Sequence, residues 1–283
     1  VFRCKIPEGP EVKLSADLIR PLVIGKRVIN AFPGKKSRYA TSPPDGFSSF
    51  LDTITKEEVR VIEVDVKGKF MYWKFSNGWY MMNSFGMSGQ WSPKEGKHPC
   101  FVFYFSENWP VVEETMYFND PRHFGTIKFT NSEKEFNKKL DELGWDPLSM
   151  PLDKSVRWIT FQLSKSKKPI AEVLMDQGLF SGVGNYIRAE ALYACKLSPW
   201  RASNTLSKDE IQLLCQAIVD VMQESYQHQG ATIHTYKTAY GDEGHYSTKF
   251  KVYGQKQDPL GHKIVKQQTA DKRTIYWCPD VQV

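Results

Sequence analysis

The chain has 283 residues, 41% apolar and 25% charged, with a net charge of +6 and a pI near 8.9. That length suits two domains of ordinary size, and the composition is that of a soluble globular protein with a mild tilt towards polyanionic partners. No uncharged apolar run is long enough for a membrane span, and the leading VFRCKI is too short and too charged for a signal peptide.

The segment PEGPEV, Pro7 to Val12, enters a helix whose apolar residues Val12, Ala16, Ile19 and Val23 share one face. Pro21 is expected to loosen or end its last turn. β-Branched and aromatic runs follow at 28–32, 59–66, 70–75, 79–83, 101–105, 116–118 and 126–129. Their Gly, Asn and Pro punctuation predicts antiparallel strands in a sandwich or barrel. Residues 131–143 read as a polar helix and GWDPL, 144–148, as a linker. A helix is then expected to begin at Pro169 and continue through Ile170, Val173, Leu174 and Gln177. GLFSGVGN breaks it before a second helix over 186–195. Ser207-Lys208-Asp209-Glu210 forms a capping box, with Leu206 and Ile211 as a hydrophobic staple, for a third helix reaching about Tyr226. From Lys249 strand patterning returns as KFKVYG, a turn at DPLG, KIVK and TIYW.

The layout is therefore α+β in two domains. An N-terminal β-sandwich domain with an opening helix spans 1–145 and a linker 146–160. A helical domain spans 161–248 and a terminal hairpin 249–283. The five cysteines (Cys4, Cys100, Cys195, Cys215, Cys278) are odd in number and lack any C-x-x-C pair, which suits free thiols in a reducing compartment. No histidine has metal-ligand spacing with cysteine or carboxylate, so no metal site is expected.

Several segments could carry chemistry, each with a plainer alternative. GVGN, Gly182 to Asn185, could bring a helix N-terminus to an anion or be an ordinary turn. In NDPRHFG, Arg122 and Phe124 lie two apart and could point the same way, as a base-edge ligand and a wedge in a base stack would. They could equally be an exposed Arg and an inward Phe. SFGMSG presents Met87 on a tight turn, where most methionines are core filler. KGKF carries Lys69 on a hairpin, and DKRT carries Arg273 on a turn.

Taken together and in order, PEGPEV, KGKF, FGMSG, DPRHFG, LGWDPL, LMDQGLFSGVGNYIRAEAL and VYGQ…KRTIYWCPDVQ resemble the Fpg/Nei DNA glycosylases. The resemblance runs from Pro7 to Gln282, and Gly9 after Pro-Glu is more similar to the Nei-like branch. It implies a base-excision enzyme for oxidised bases (oxidised pyrimidines, hydantoins, formamidopyrimidines) with AP lyase β,δ-elimination. It further implies a Schiff base on the amine of Pro7, with Glu8 as the acid at the sugar, Glu11 a second carboxylate, and Lys69, Asn185 and Arg273 on phosphates. Met87, Arg122 and Phe124 match the set that fills the void left by a flipped base. The tail departs from the family's two C-x-x-C zinc finger and resembles the zincless finger of animal and giant-virus Nei-like enzymes, which implies no cofactor. A lysine that some members carry is replaced, with Ala171 after Ile170, and residues 232–248 match the place of lesion-capping loops. The implied partner is damaged DNA, bound by an intracellular monomer without membrane contact. Pro7 can act as a nucleophile only as a free amine. If VFRCKI stays attached, the chain is a catalytically inactive damaged-DNA-binding protein. A nucleic-acid-binding protein that merely shares the helix–two-turn–helix would leave PEGPE and the Met/Arg/Phe set unexplained.

Overall fold

A computed structural model describes residues 7–106, 113–231 and 246–283. VFRCKI, and all but the last three residues of 232–248, lie outside the described residues.

Helix α1 spans Gly9–Val23, and its first turn is closed by the Glu8 N–H, which donates to Glu11 Oε2 at 2.8 Å. The helix does not stop at Pro21. Ile19 and Val23 are fully buried, and Ile24 N donates to Arg20 O at 3.0 Å, so the turn survives the one bond that proline cannot donate. Strand β1 (Arg27–Pro33) follows, then α2 (Phe47–Lys56), a helix the strand-rich reading of this half missed. Its signal was the spacing of Phe47, Phe50 and Ile54, all buried on one face.

Strands β2 (Val61–Lys67), β3 (Phe70–Phe75), β4 (Tyr80–Ser84), β5 (Gln90–Ser92), β6 (Pro99–Ser106), β7 (Glu113–Asn119) and β8 (Thr126–Thr130) complete the domain. They form two antiparallel four-stranded sheets, ordered β1-β6-β7-β5 and β2-β3-β4-β8. Aromatic side chains fill the space between them. Trp73 of β3 stacks on Phe103 of β6 at 5.4 Å and meets Trp91 of β5 at 5.1 Å. The expected sandwich is present, with β5 too short to be read from sequence.

Helix α3 (Glu133–Asp141) leads to the second domain. The expected linker over 146–160 is corrected in its second half: Leu152–Ser164 is helix α4. Ser155, Ile159 and Leu163 are buried there with helical spacing, and Ile159 and Leu163 join the second core. The expected helix from Pro169 is only one turn, α5 (Ile170–Val173). Helices α6 (Asn185–Ala194) and α7 (Lys208–Gln227) follow as read, and Ser207 and Glu210 cap α7 reciprocally at 3.2 and 2.8 Å. Strands β9 (Val265–Gln268) and β10 (Thr274–Trp277) pair as the terminal hairpin. Val252, Ile264 and Tyr276 fix it to Ala189 of α6. Among the described residues Cys100, Cys195, Cys215 and Cys278 are buried free thiols, and no helix is long and apolar enough to cross a membrane.

Candidate active site

Three glycines bring the domains together. Gly9 N donates to Gly182 O at 2.9 Å, and a Cβ placed on Gly182 would lie 3.2 Å from Gly68 Cα and 3.3 Å from Gly9 Cα. Gly68 takes φ +59°, and a Cβ there would sit 2.1 Å from Ser181 Oγ. Only residues without side chains allow α1, the β2–β3 hairpin and the GVGN turn to touch. That contact places Pro7, Glu8, Lys69, Met87, Asn185 and Arg273 around one cavity of about 680 Å³, with Met175, Gln177 and Tyr253 on its second-domain side.

Glu8 is 1% exposed. Its carboxylate accepts the N–H groups of Tyr186 (3.0 Å) and Ile187 (3.4 Å) in the first turn of α6. Gly184 makes room for it, since a Cβ there would lie 2.2 Å from Glu8 Cδ. Burial raises the Glu8 pKa to about 7; the Lys69 ammonium opposes this, the Glu11 charge adds to it, and the two backbone hydrogen bonds oppose it. The group can therefore hold or release a proton near neutral pH, as a general acid must. Asn185 opens α6 at the cavity, and Arg273, half exposed, reaches it from the β9–β10 turn.

Glu11 does not line this cavity, although its Oε2 accepts the Glu8 N–H next to Pro7. Its Oε1 accepts the Tyr186 hydroxyl at 3.1 Å and Ala231 N at 2.8 Å, so its carboxylate ties α1 to the second domain. Met87 borders the cavity, while Arg122 and Phe124 do not line it and are exposed, Phe124 at 58%. Arg122 Nη1 donates to Met87 Sδ at 3.2 Å, and a Cβ on Gly86 would lie 2.6 Å from the Phe124 carbonyl carbon, so the two loops touch.

Three models from one family cover most of the chain. The formamidopyrimidine-DNA glycosylase N-terminal domain matches residues 6–127, the H2TH domain 143–237 and the C-terminal domain 245–283. A formamidopyrimidine-DNA glycosylase from Listeria monocytogenes serotype 4b is 30% identical over 98% of this chain and 100% of its own. The chain belongs to the formamidopyrimidine-DNA glycosylase family. That is a family of bifunctional DNA glycosylase/AP lyases. The crystal structure of MutM (Fpg) from Thermus thermophilus is 27% identical, covers 98% of each chain and superposes with a TM-score of 0.81. Lactococcus lactis Fpg in complex with DNA containing an abasic site has the same fold, with 22% identity, 98% and 99% coverage and a TM-score of 0.81.

Within this glycosylase scaffold, several supporting residues escaped the sequence reading. Arg188 of α6 is fully buried. It donates to Ala171 O at 2.9 Å and Thr274 O at 3.4 Å, joining α5 to the strand after Arg273. Burial lowers its pKa to about 10, which still leaves it charged at neutral pH. Glu190 accepts the backbone N–H groups of Lys251, Val252 and Tyr253 at 2.7–3.0 Å, which sets Tyr253 at the cavity. Asp258, His262 and Cys278 converge at the base of the hairpin, a grouping the expectation of no metal site overlooked. The only sequence signal was an Asp and a His four apart in DPLGH, with the cysteine far along the chain.

Proposed function

We propose that this protein excises oxidised bases from DNA and then cuts the strand as an AP lyase. The observation that carries this reading is a buried Glu8, with its pKa raised to about 7, sharing one cavity with Pro7, Lys69, Asn185 and Arg273. A proline amine free at residue 7 attacks C1′ of the damaged nucleotide. The C1′–N bond breaks, the base leaves with a proton, and an iminium forms on Pro7. Glu8 supplies the proton to the sugar ring oxygen that opens the ring. The iminium acidifies the neighbouring sugar protons, so β- and then δ-elimination expel the two flanking phosphates. Lys69, Asn185 and Arg273 hold those phosphates, and Met87, Arg122 and Phe124 occupy the space and the stack from which the base was turned out. Glu11, tied to Tyr186 and Ala231, positions the entry of α1.

We assign the chain to the Nei-like branch with a zincless finger. Gly9 supports this, since a Cβ there would lie 2.6 Å from Met222 Cε and 3.1 Å from Gly182 Cα, leaving no space for the leucine usual in Fpg proteins. The finger lacks the four-cysteine cage, and Asp258 closes its turn with hydrogen bonds instead. Oxidised pyrimidines, hydantoins and formamidopyrimidines are the substrate classes this branch implies.

Borohydride trapping on an abasic-site duplex tests the nucleophile. Protein beginning at Pro7 should cross-link, and protein beginning at Val1 should not. Cross-linking by the Val1 form, its terminus verified by mass spectrometry, would overturn the role of Pro7. Failure of both forms would leave a lesion-binding protein without lyase chemistry.

A further inference from the structure

His123 has φ +58°, in the left-handed region. That backbone conformation is costly for a residue with a Cβ and persists where surrounding contacts hold it. Its neighbours Arg122 and Phe124 are both exposed, while His123 is half-buried. Between those two outward side chains the imidazole turns into the protein, and its Nδ1 lies 3.3 Å from Cys100 Sγ.

Cys100 is 2% exposed and sits where the pairing of β6 with β7 slips by one residue, between Pro99 and Phe101. A bulge of this kind re-aims a side chain. Here it brings the thiol beside the ring and to 3.5 Å from Asp120 O. Gly34 closes the site from the end of β1. Its N–H donates to Cys100 O at 3.0 Å, and a Cβ there would lie 1.7 Å from Pro99 O. Burial, and after it the Asp120 charge, push the Cys100 thiol up to about 11, so it keeps its proton at neutral pH. The His123 backbone N–H donates to Asp120 O at 3.2 Å, and the His98 ring meets the His123 ring edge-on, centroids 6.2 Å apart. With Nδ1 as a donor these groups form an unbroken chain, Nδ1–H to Sγ and S–H to Asp120 O.

We propose that His123 is a positioning residue for base extrusion: latched to Cys100 through Nδ1, it fixes the turn that sends Arg122 and Phe124 outwards on either side of it. This rests on the reading that Arg122 and Phe124 enter the emptied base stack, and adds what holds them in place to do so. A latched turn presents the two side chains already ordered. An unlatched one leaves the left-handed residue unsupported, and the wedge must be ordered as it enters the DNA.

The test uses the full chain and a duplex carrying a tetrahydrofuran abasic analogue opposite 2-aminopurine, so that no catalysis is read. Stopped-flow fluorescence of the 2-aminopurine follows entry of the side chains into the stack. Cys100→Val keeps the volume and loses the S–H, while His123→Asn tolerates the left-handed backbone and loses the ring. Each should slow the change about three- to tenfold, the scale of one neutral hydrogen bond. Cys100→Ser keeps a donor and should stay within about twofold of the parent. The double variant Cys100→Val/His123→Asn should be no slower than the slower single, because both changes break one bond. Parent-like rates in both single variants, or losses that simply add in the double, overturn the latch. Phe124→Ala separates this from the reading beneath it and should remove most of the fluorescence change. A full change in Phe124→Ala, or none in the parent chain, ends the wedge reading and the latch with it. Should Cys100→Val fail to fold, His123→Asn at its half-buried position decides, and a parent-like rate there overturns the proposal.

Discussion

The Ser88 hydroxyl donates to Asp120 Oδ1 at 2.5 Å, and through that bond the loop carrying Met87 is fastened to the loop carrying Arg122 and Phe124. Asp120 is 1% exposed and also accepts the N–H groups of Arg122 (3.2 Å) and Gly125 (2.6 Å). Its carboxylate thus sets the relative height of the three side chains assigned to the emptied base stack. Asp120→Asn turns an N–H₂ towards at least one donor and should loosen both loops. We expect duplex excision to fall about 10- to 100-fold, the effect of roughly 1.5–3 kcal/mol for a buried hydrogen bond to a charged group. Excision from single-stranded DNA, where no stack needs filling, should change less than about threefold. Equal losses on both substrates would remove Asp120 from this role and make it a general stability residue.

Glu8 makes folding stability depend on pH in a determined direction. Its folded pKa is about 7 against an ordinary value of 4.5, so between these values the folded state keeps a proton the unfolded state has lost. Stability from the protonated group is present below pH 4.5 and declines as pH rises through about 7, then levels off. Glu8→Gln cannot ionise and escapes that decline. Urea unfolding should show the variant more stable by about 2–4 kcal/mol at pH 8, with most of the difference gone at pH 5. It should also impair base excision, and full excision by Glu8→Gln would end the assignment of Glu8 as the acid.

Gly68 and Gly78 both have positive φ, +59° and +81°, yet only Gly68 meets another chain segment. Gly68→Ala drives a Cβ to within 2.4 Å of Gly182 N, whereas Gly78→Ala meets nothing within 4 Å. The second change should cost about 1 kcal/mol through backbone conformation alone. The first should cost at least about 3 kcal/mol or separate Lys69 from the cavity. Thermal melts of the pair, with trapping yield measured alongside, distinguish strain in a hairpin from a broken domain contact.

Arg273 and Arg188 lie along one path yet should affect DNA binding differently. Arg273 is half exposed at the cavity, while Arg188 is buried and holds Thr274 O. Arg273→Ala removes the cation proposed to hold a phosphate, so the slope of log K against log salt should shrink by about one. Arg188→Met keeps the volume, removes the tether and should weaken binding with the slope unchanged. Hydrogen exchange at 274–277 should quicken in Arg188→Met only.

Much of this was written in local sequence. Val12, Ala16, Ile19 and Val23 mark α1, alternating aromatic runs mark the strands, and Ser207 with Glu210 marks the start of α7, because each depends on neighbours a few positions away. The ordered motifs also led to Pro7, Glu8, Lys69, Asn185 and Arg273. Helix α2 was obscured by its many polar residues, and α4 by Trp158 and Phe161, which are exposed and blur its apolar stripe. Arg188 reads as a surface arginine on a helix until α5 and β10 close over it.

The sequence by itself determined most of the elements, since periodicity, capping and turn preference act over a few residues, and its ordered motifs gave the candidate site residues through the family resemblance. Tertiary structure alone decided that Gly9, Gly68 and Gly182 would meet and bring residues 7, 69, 185 and 273 around one cavity. It also decided that burial at the α6 N-terminus would hold the Glu8 proton to about pH 7, and that Glu11 would bridge Glu8 N to Tyr186 and Ala231. Desolvation and long-range hydrogen bonding depend on which surfaces exclude water together, and that is fixed only when the two domains pack.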